Sequence, residues 1–323
     1  MAVVGFAIAV LLALGIGGLA LAIGPSLGFV DRPDTDGLKT HTHLAVPLGG
    51  AAVMIGLHGG LLTAGAFDPA LFVSTLFIWL MGLTDDRFGL SPYTRLAGSA
   101  IGGVLLVAIG GRHEGFLAGL AGVVLVVVSV NAVNLLDGLD GLAGTIGAVA
   151  AVGLAAFAYY QGRALPWASI ILTGALVGFL YWNVAPARLF LGDNGAYVVG
   201  VALAWASLRS SVDWGSGLVA AALIGVPLID LAATVLSRIV RRAQLFEGDR
   251  DHVYDRLIRS GWTAGRVVLL YAAVQAVWAT MVVAFSYQAG DMEAAVAALF
   301  VGGILLTAGA FINGTARSDP GRE

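Results

Sequence analysis

The chain has 323 residues, 59% hydrophobic and only 11% charged, with a mean hydropathy of +0.90. A soluble domain carries about 25% charged residues, so a water-soluble fold is excluded, and a transmembrane barrel is excluded because the apolar runs do not alternate with polar residues. The formal net charge of -3 says little until the charges are placed, and the lack of cysteine removes disulfide and thiol chemistry.

The first apolar run covers 3–24. Ala2 to Ile23 has no basic leader and no small-residue cleavage pattern, so it reads as a retained span and not as a signal peptide. The following DRPDTDGLKTHTHLAVPLGG (31–50) mixes acids with Lys39, His41 and His43. Lys39 can meet a phosphate as a point charge; alternatively the loop is simply solvated, with His43 a bystander. Runs at 45–65 and 69–84 lead to DDRFGL (85–90). Adjacent carboxylates at the end of an apolar helix repel each other unless a cation or a proton is shared. They read either as a metal- or phosphate-handling pair or as a solvated helix end with Asp86 paired to Arg87 or Arg95.

Runs at 95–110 and 116–133 precede NAVNLLDGLDGLAGT (131–145). Asn134, Asp137 and Asp140 are three residues apart and share one face if the segment is helical. Such oxygens suit Mg²⁺ or a nucleoside; the alternative is a loop of Asp-Gly turns. Runs at 142–160 and 165–183 lead to RLFLGDNGAYVVG (188–200). There Asp193 either N-caps the next helix or offers a carboxylate to Mg²⁺. Phe190 either stacks on a base or anchors at the interface.

Runs at 194–208 and 215–238 follow, the second holding Asp230, an acid within an apolar span that is either functional or hydrogen-bonded. RRAQLFEGDRDHVYDRL (241–257) reads as a phosphosugar clamp or as a basic patch against anionic lipid. Runs at 266–287 and 292–312 complete an all-α, polytopic integral membrane protein of about eleven transmembrane helices.

Every Lys and Arg except Arg112, Arg163 and Arg209 falls in the odd-to-even breaks or the C-terminal segment. The positive-inside bias makes that side cytoplasmic, with the N-terminus outside and the C-terminus cytoplasmic. The patterned acids and amides lie on the same side. Residues 1–323 therefore read as one transmembrane catalytic domain whose site is built from loops 25–45, 85–95, 131–142, 184–195 and 239–265. A transporter more often sets its polar groups near the midplane; a transporter or lipid flippase using the acids as ion sites stands as the alternative. Basic residues interleaved with acids argue against a nucleic-acid partner. No serine elbow, Walker loop, dinucleotide fingerprint or HExxH motif is present.

In order along the chain, DRP with K-x-H and Gly-Gly at 31–50, DDRFGL at 85–90, NAVNLLDGLDGL at 131–142, FLGDNG at 190–195 and the His252 loop resemble the polyprenyl-phosphate N-acetylhexosamine-1-phosphate transferases of glycosyltransferase family 4. The resemblance implies transfer of a HexNAc-1-phosphate, GlcNAc-1-phosphate first among them, from a UDP-N-acetylhexosamine to a membrane polyprenyl (undecaprenyl) phosphate, with release of UMP. It implies Asp85, Asp86, Asp193 and His252 as catalytic residues. Asp193 and Asn134 would hold Mg²⁺ (or Mn²⁺). Lys39, His41, Asn134, Asp137, Asp140, Phe190 and Arg256 would bind substrate, with Asp85 near the lipid phosphate and Phe190 on the uracil. It also implies the bacterial inner membrane, a cytoplasm-facing site, a lipid-tail groove between helices and, as an option, a homodimer. Many relatives carry H-x-H-H in the last loop, where this chain has His252-Val-Tyr254-Asp255, and Pro47 falls one place later than the usual proline.

Overall fold

A computed structural model describes residues 1–30, 45–111, 115–163, 167–242, 252–288 and Gly303. Lys39, His41 and the expected span 292–312 lie outside the described residues. The chain runs through α1 (Ala2–Ile23), a 3-10 turn (Gly24–Leu27), α2 (Gly49–Thr63), α3 (Pro69–Phe88), α4 (Pro92–Gly110), α5 (Phe116–Leu136) and α6 (Leu142–Tyr160). It continues through α7 (Trp167–Asn183), α8 (Gly192–Ser210), α9 (Trp214–Ala222), α10 (Val226–Arg241), α11 (Val253–Arg259) and α12 (Ala264–Gln288). Among the described residues the only β pairing is an isolated bridge between Val46 and Leu189.

The chain is an all-helical membrane protein. Five described helices are long and apolar enough to cross a bilayer, and a sixth counts if α9 and α10 form one bent span. The expected run 215–238 is broken at Gly225, whose φ is +48°, and α9 and α10 meet at 84°. Pro227 prevents an uninterrupted helix through this point. Side chains of α12 satisfy the freed backbone groups: Gln275 accepts from Val226 N–H and donates to Leu223 C=O, and Trp278 Nε1 donates to Ala222 C=O. A break inside an apolar span is tolerated only with such partners.

α8 is the central helix. It packs on α3, α5, α2 and α6, and its residues from Asn194 to Ser207 are buried. A helix apolar on every side belongs in the interior. On one flank, α1, α2 and α7 associate closely, with Gly5, Ala9, Ala13, Gly17 and Ala20 forming the buried stripe of α1. Small residues three or four places apart on one helix face let backbones approach in an apolar medium.

α3 and α8 run antiparallel, tied by polar contacts at both ends. At one end Asp68 caps α3 through Ala70 and Leu71 N–H, accepts from Trp205 Nε1 and pairs with Arg209. This acid is a structural tie between the two helices. The other end carries the candidate site.

Candidate active site

Two expected breaks prove to be helical. α3 runs to Phe88 and carries Asp85 and Asp86 in its last turns, and α5 runs to Leu136 and includes Asn131 and Asn134. Apolar runs end where side chains become polar, but a helix continues while those side chains find partners. For Asp86 and Asn134 the partners come from the start of α8, for Asp85 from Arg95, Leu90 and Tyr197, and Asn131 donates back to Val127 C=O.

Gly192 opens α8 at φ +70°. The first N–H groups of a helix need acceptors, and the helix end is electropositive. The residue in the capping position, Leu191, has no side chain for the task. Asp86 of α3 supplies it, its Oδ1 accepting from Asp193 N–H at 2.9 Å and its Oδ2 from Asn194 N–H at 3.1 Å and Asn194 Nδ2 at 2.6 Å. Nδ2 also donates to Pro47 C=O, fixing the start of α2 to the same point. The close approach of α3 requires Gly82, where a Cβ would lie 2.3 Å from Asn194 Cα. Asp193 therefore does not cap its helix; it sits in the first turn with its carboxylate available to side chains.

Asp137 follows α5 as its C-cap, and Gly192 N–H donates to it. Burial and the neighbouring charges of Asp193, Asp86 and Asp140 push its carboxyl well above the usual aspartate range. Asp140 lies beyond the helix, so Asn134, Asp137 and Asp140 do not form one continuous helical face. Its Oδ2 accepts from Ala187 N–H, while Gly141 N–H donates to Asn183, docking the 137–141 loop onto the end of α7 and the segment after it. Phe190 is half-buried. Its N–H donates to Val46 C=O and its C=O accepts from Gly49 N–H.

Asp85 is buried at 3% exposure and fully engaged. Its oxygens accept from Arg95 Nη2, Leu90 N–H and, at 2.6 Å, Tyr197 Oη. The arginine partner of the acid pair is thus Arg95, on Asp85 and not on Asp86. Arg87 instead turns to Leu27 C=O and the rings of Phe29 and Phe88. Arg95 Nη2 also stands 4.0 Å from Asp193 Oδ2, and the Asn134 side-chain amide reaches the same carboxylate.

Asp85, Asp86, Asn134, Asp137 and Asp193 thus gather at the start of α8, with Asp140 alongside. His252 and Arg256 come from α11 and its cap. Tyr254 brings that helix to the site, its Oη donating to Leu135 C=O at 3.3 Å. The structure gives Arg256 a place on α11. Sequence reasoning offered Arg95 only as a partner of Asp86, whereas it binds Asp85, and missed Tyr197 as a site neighbour. Arg95 had a visible cue, an arginine in the first turn of an apolar helix on the charged side. Tyr197 had none, because a tyrosine inside an apolar run reads as core.

Comparison with known proteins bears on this arrangement. The model of glycosyl transferase family 4 matches residues 69–211, the stretch that carries α3 to α8. The undecaprenyl-phosphate alpha-N-acetylglucosaminyl 1-phosphate transferase of Haemophilus influenzae is 31% identical over 281 residues, 79% of each chain. The chain belongs to glycosyl transferase family 4. The family relative of that name from Pasteurella multocida is 32% identical over 286 residues, covering 80% of this chain and 79% of its own. A probable undecaprenyl-phosphate N-acetylglucosaminyl 1-phosphate transferase of Bacillus subtilis is 26% identical over 289 residues, covering 83% and 80%. These family members are named as transferases, and the comparisons give the transporter alternative no support.

Proposed function

We propose that this family 4 chain transfers GlcNAc-1-phosphate from UDP-GlcNAc to a polyprenyl phosphate, releasing UMP and leaving a polyprenyl-diphosphate sugar. The observation that carries the reading is the convergence of Asp86, Asp137, Asp193 and Asn134 on the first turn of α8, in a chain whose relatives bear that transferase name. Phosphoryl transfer depends mostly on positioning and on charge neutralisation.

The donor set fits a hard divalent cation. The charges of Asp86, Asp137 and Asp193 act on one another, with the Arg95 cation beside Asp193. Among the described residues no three His, Cys, Asp or Glu side chains form a ready ligand group. Mg²⁺ needs none, since it takes one or two carboxylates with phosphate and water completing its shell. Asp85, Asp86 and Asp137 each accept from backbone N–H groups, whereas Asp193 meets the Asn134 amide and Arg95. Asp193 and Asn134 are accordingly the residues that would hold Mg²⁺ (or Mn²⁺), which, when bound, neutralises charge on the diphosphate.

An oxygen of the lipid phosphate attacks the β-phosphorus in line, forming a new P–O bond, and the bond from that phosphorus to the oxygen bridging to UMP breaks. The acceptor is already an anion at neutral pH, so no strong base is needed. The saturated environment of Asp85 favours an orienting role over deprotonation: it holds the Arg95 guanidinium beside Asp193. Asp137, Asp140 and Phe190 are assigned to the uridine side, and His252 and Arg256 to the sugar-phosphate end. Lys39 and His41 of the first loop complete the set. Eleven spans, a cytoplasmic site in the bacterial inner membrane and a lipid-tail groove between helices complete the proposal.

Membranes carrying the chain, supplied with radiolabelled UDP-GlcNAc, polyprenyl phosphate and Mg²⁺, should form a labelled lipid. Absence of product across several UDP-amino sugars, together with an ion-coupled flux, would overturn the reading in favour of transport.

A further inference from the structure

Asp230 of α10 is an acid within the bent ninth span, 4% exposed, and the mechanism above leaves it without a task. A carboxylate in such surroundings needs a partner. Its Oδ2 lies at ion-pair distance, 3.4 Å, from Nδ1 of His252, which is equally buried at 4%. The His252 ring is stacked on Tyr254, with centroids 5.2 Å apart and planes 5° from parallel. Tyr254 in turn donates to Leu135 C=O, two residues before Asp137, and the charge of Asp137 acts on the Tyr254 hydroxyl. Its seat exists only because Gly138 has no side chain: a Cβ there would lie 2.3 Å from Tyr254 Oη. One line of contacts therefore runs from the bent span, through the last cytoplasmic segment, to the end of α5.

We propose that Asp230 is a positioning residue that acts through His252. The carboxylate fixes which ring nitrogen turns toward α10, and Tyr254 fixes the plane of the ring, so the imidazole is held in one tautomer and one orientation beside the carboxylate-lined site. A carboxylate behind a histidine commonly has this effect. The chain has Tyr254-Asp255 in place of further histidines in this segment, so one well-oriented imidazole does the work. The role rests on the transferase reading; the pairing itself does not.

Two measurements separate the two. In ¹⁵N-histidine spectra of the purified full chain, with the His252 signal identified by its loss in H252Q, D230N should change the tautomer signature of His252. An unchanged signal overturns the pairing. In kinetics with UDP-GlcNAc, D230N should lower kcat/KM about tenfold, chiefly by raising KM. The D230N/H252Q double variant should be no worse than H252Q, because a group that acts only through its partner loses its effect when the partner is gone. Effects that multiply, or wild-type kinetics in D230N, overturn the role. Should D230N fail to fold, D230E keeps a carboxylate and should stay within about threefold of wild type; a folded D230E with a greater loss in kcat/KM contradicts the proposal. A wild-type chain that makes no lipid product but shows the His252 signature sinks the transferase reading while leaving the pair intact.

Discussion

Asp86 binds Asn194 twice, through the backbone N–H at 3.1 Å and the side-chain amide at 2.6 Å, although 108 positions separate the two residues. The contact makes α3 the cap of α8. It also clears Asp193, the next residue back, from the capping role that its place at a helix start suggests.

Replacing Asp86 tests the cap. Asp86→Ala removes the acceptor of two backbone N–H groups and one amide, and loss of a cap costs about 0.5–2 kcal/mol. The expected outcome is a lower thermal midpoint in detergent together with a large loss of transferase turnover, since Asp193 moves when its own N–H is released. Unchanged stability would refute the capping role.

Asp193 should behave in the opposite way. Asp193→Asn removes one charge from a crowded group of carboxylates, so folding should be preserved or improved. Turnover should fall by at least about a hundredfold if the residue holds a cation worth several kcal/mol. Wild-type turnover in this variant would remove its metal role.

Metal removal and pH are linked through Asp137. Its folded-state pKa is raised, so the fold takes up a proton more readily than the unfolded chain does. This group therefore makes the metal-free protein less stable as pH rises from the ordinary aspartate range through its raised value. Asp193, whose pKa burial and the charges of Asp86 and Asp85 raise to about 7, adds to the same trend, so added Mg²⁺ should give a larger rise in midpoint at pH 8 than at pH 6. Chelation should abolish turnover reversibly. A Mg²⁺-induced shift that is larger at low pH would contradict the assignment.

Asp68, at the far end of the same two helices, supplies a contrast. Removing one partner of a buried ion pair costs about 3–5 kcal/mol, and a smaller loss, about 2 kcal/mol, is expected here because Arg209 keeps roughly a third of its side chain exposed. Asp68→Ala should lower the unfolding midpoint and leave KM for the donor unchanged. An altered KM would place this end in the site.

The Gly138 seat can be probed by compensation. Gly138→Ala should drive Tyr254 from the end of α5 and depress turnover. Adding Tyr254→Phe should restore part of it, because the hydroxyl is the nearest obstacle and the ring carbon behind it, at 3.0 Å, remains tight. No recovery would mean that the alanine acts elsewhere.

Much of the site was legible in the sequence because its motifs are local. DDRFGL, NAVNLLDGLDGL and FLGDNG each mark a polar end of an apolar run, and the Lys/Arg bias sorts those ends onto one side. The distant partners were not legible, and Arg95, ten positions beyond Asp85, was read against Asp86 and not Asp85. Asp85 is locked by Arg95 and by Tyr197, 112 positions away, and no local pattern encodes such a distance. Helix limits were misplaced at Asp85, Asp86 and Asn134 for the same reason, since their helices extend into polar residues that α8 satisfies. The break at Gly225 left a readable trace, a glycine two places before Pro227 inside a long apolar run. The Gln275 and Trp278 contacts that sustain it come from α12.

The nucleotide product of a purified reaction tests the central claim most directly. With UDP-GlcNAc, a polyprenyl phosphate and Mg²⁺, the account requires UMP in equal amount to a lipid product that retains both the lipid phosphate and the sugar phosphate. Release of UDP would mean transfer of the sugar alone, and with it the phosphoryl chemistry assigned to the start of α8 would be wrong.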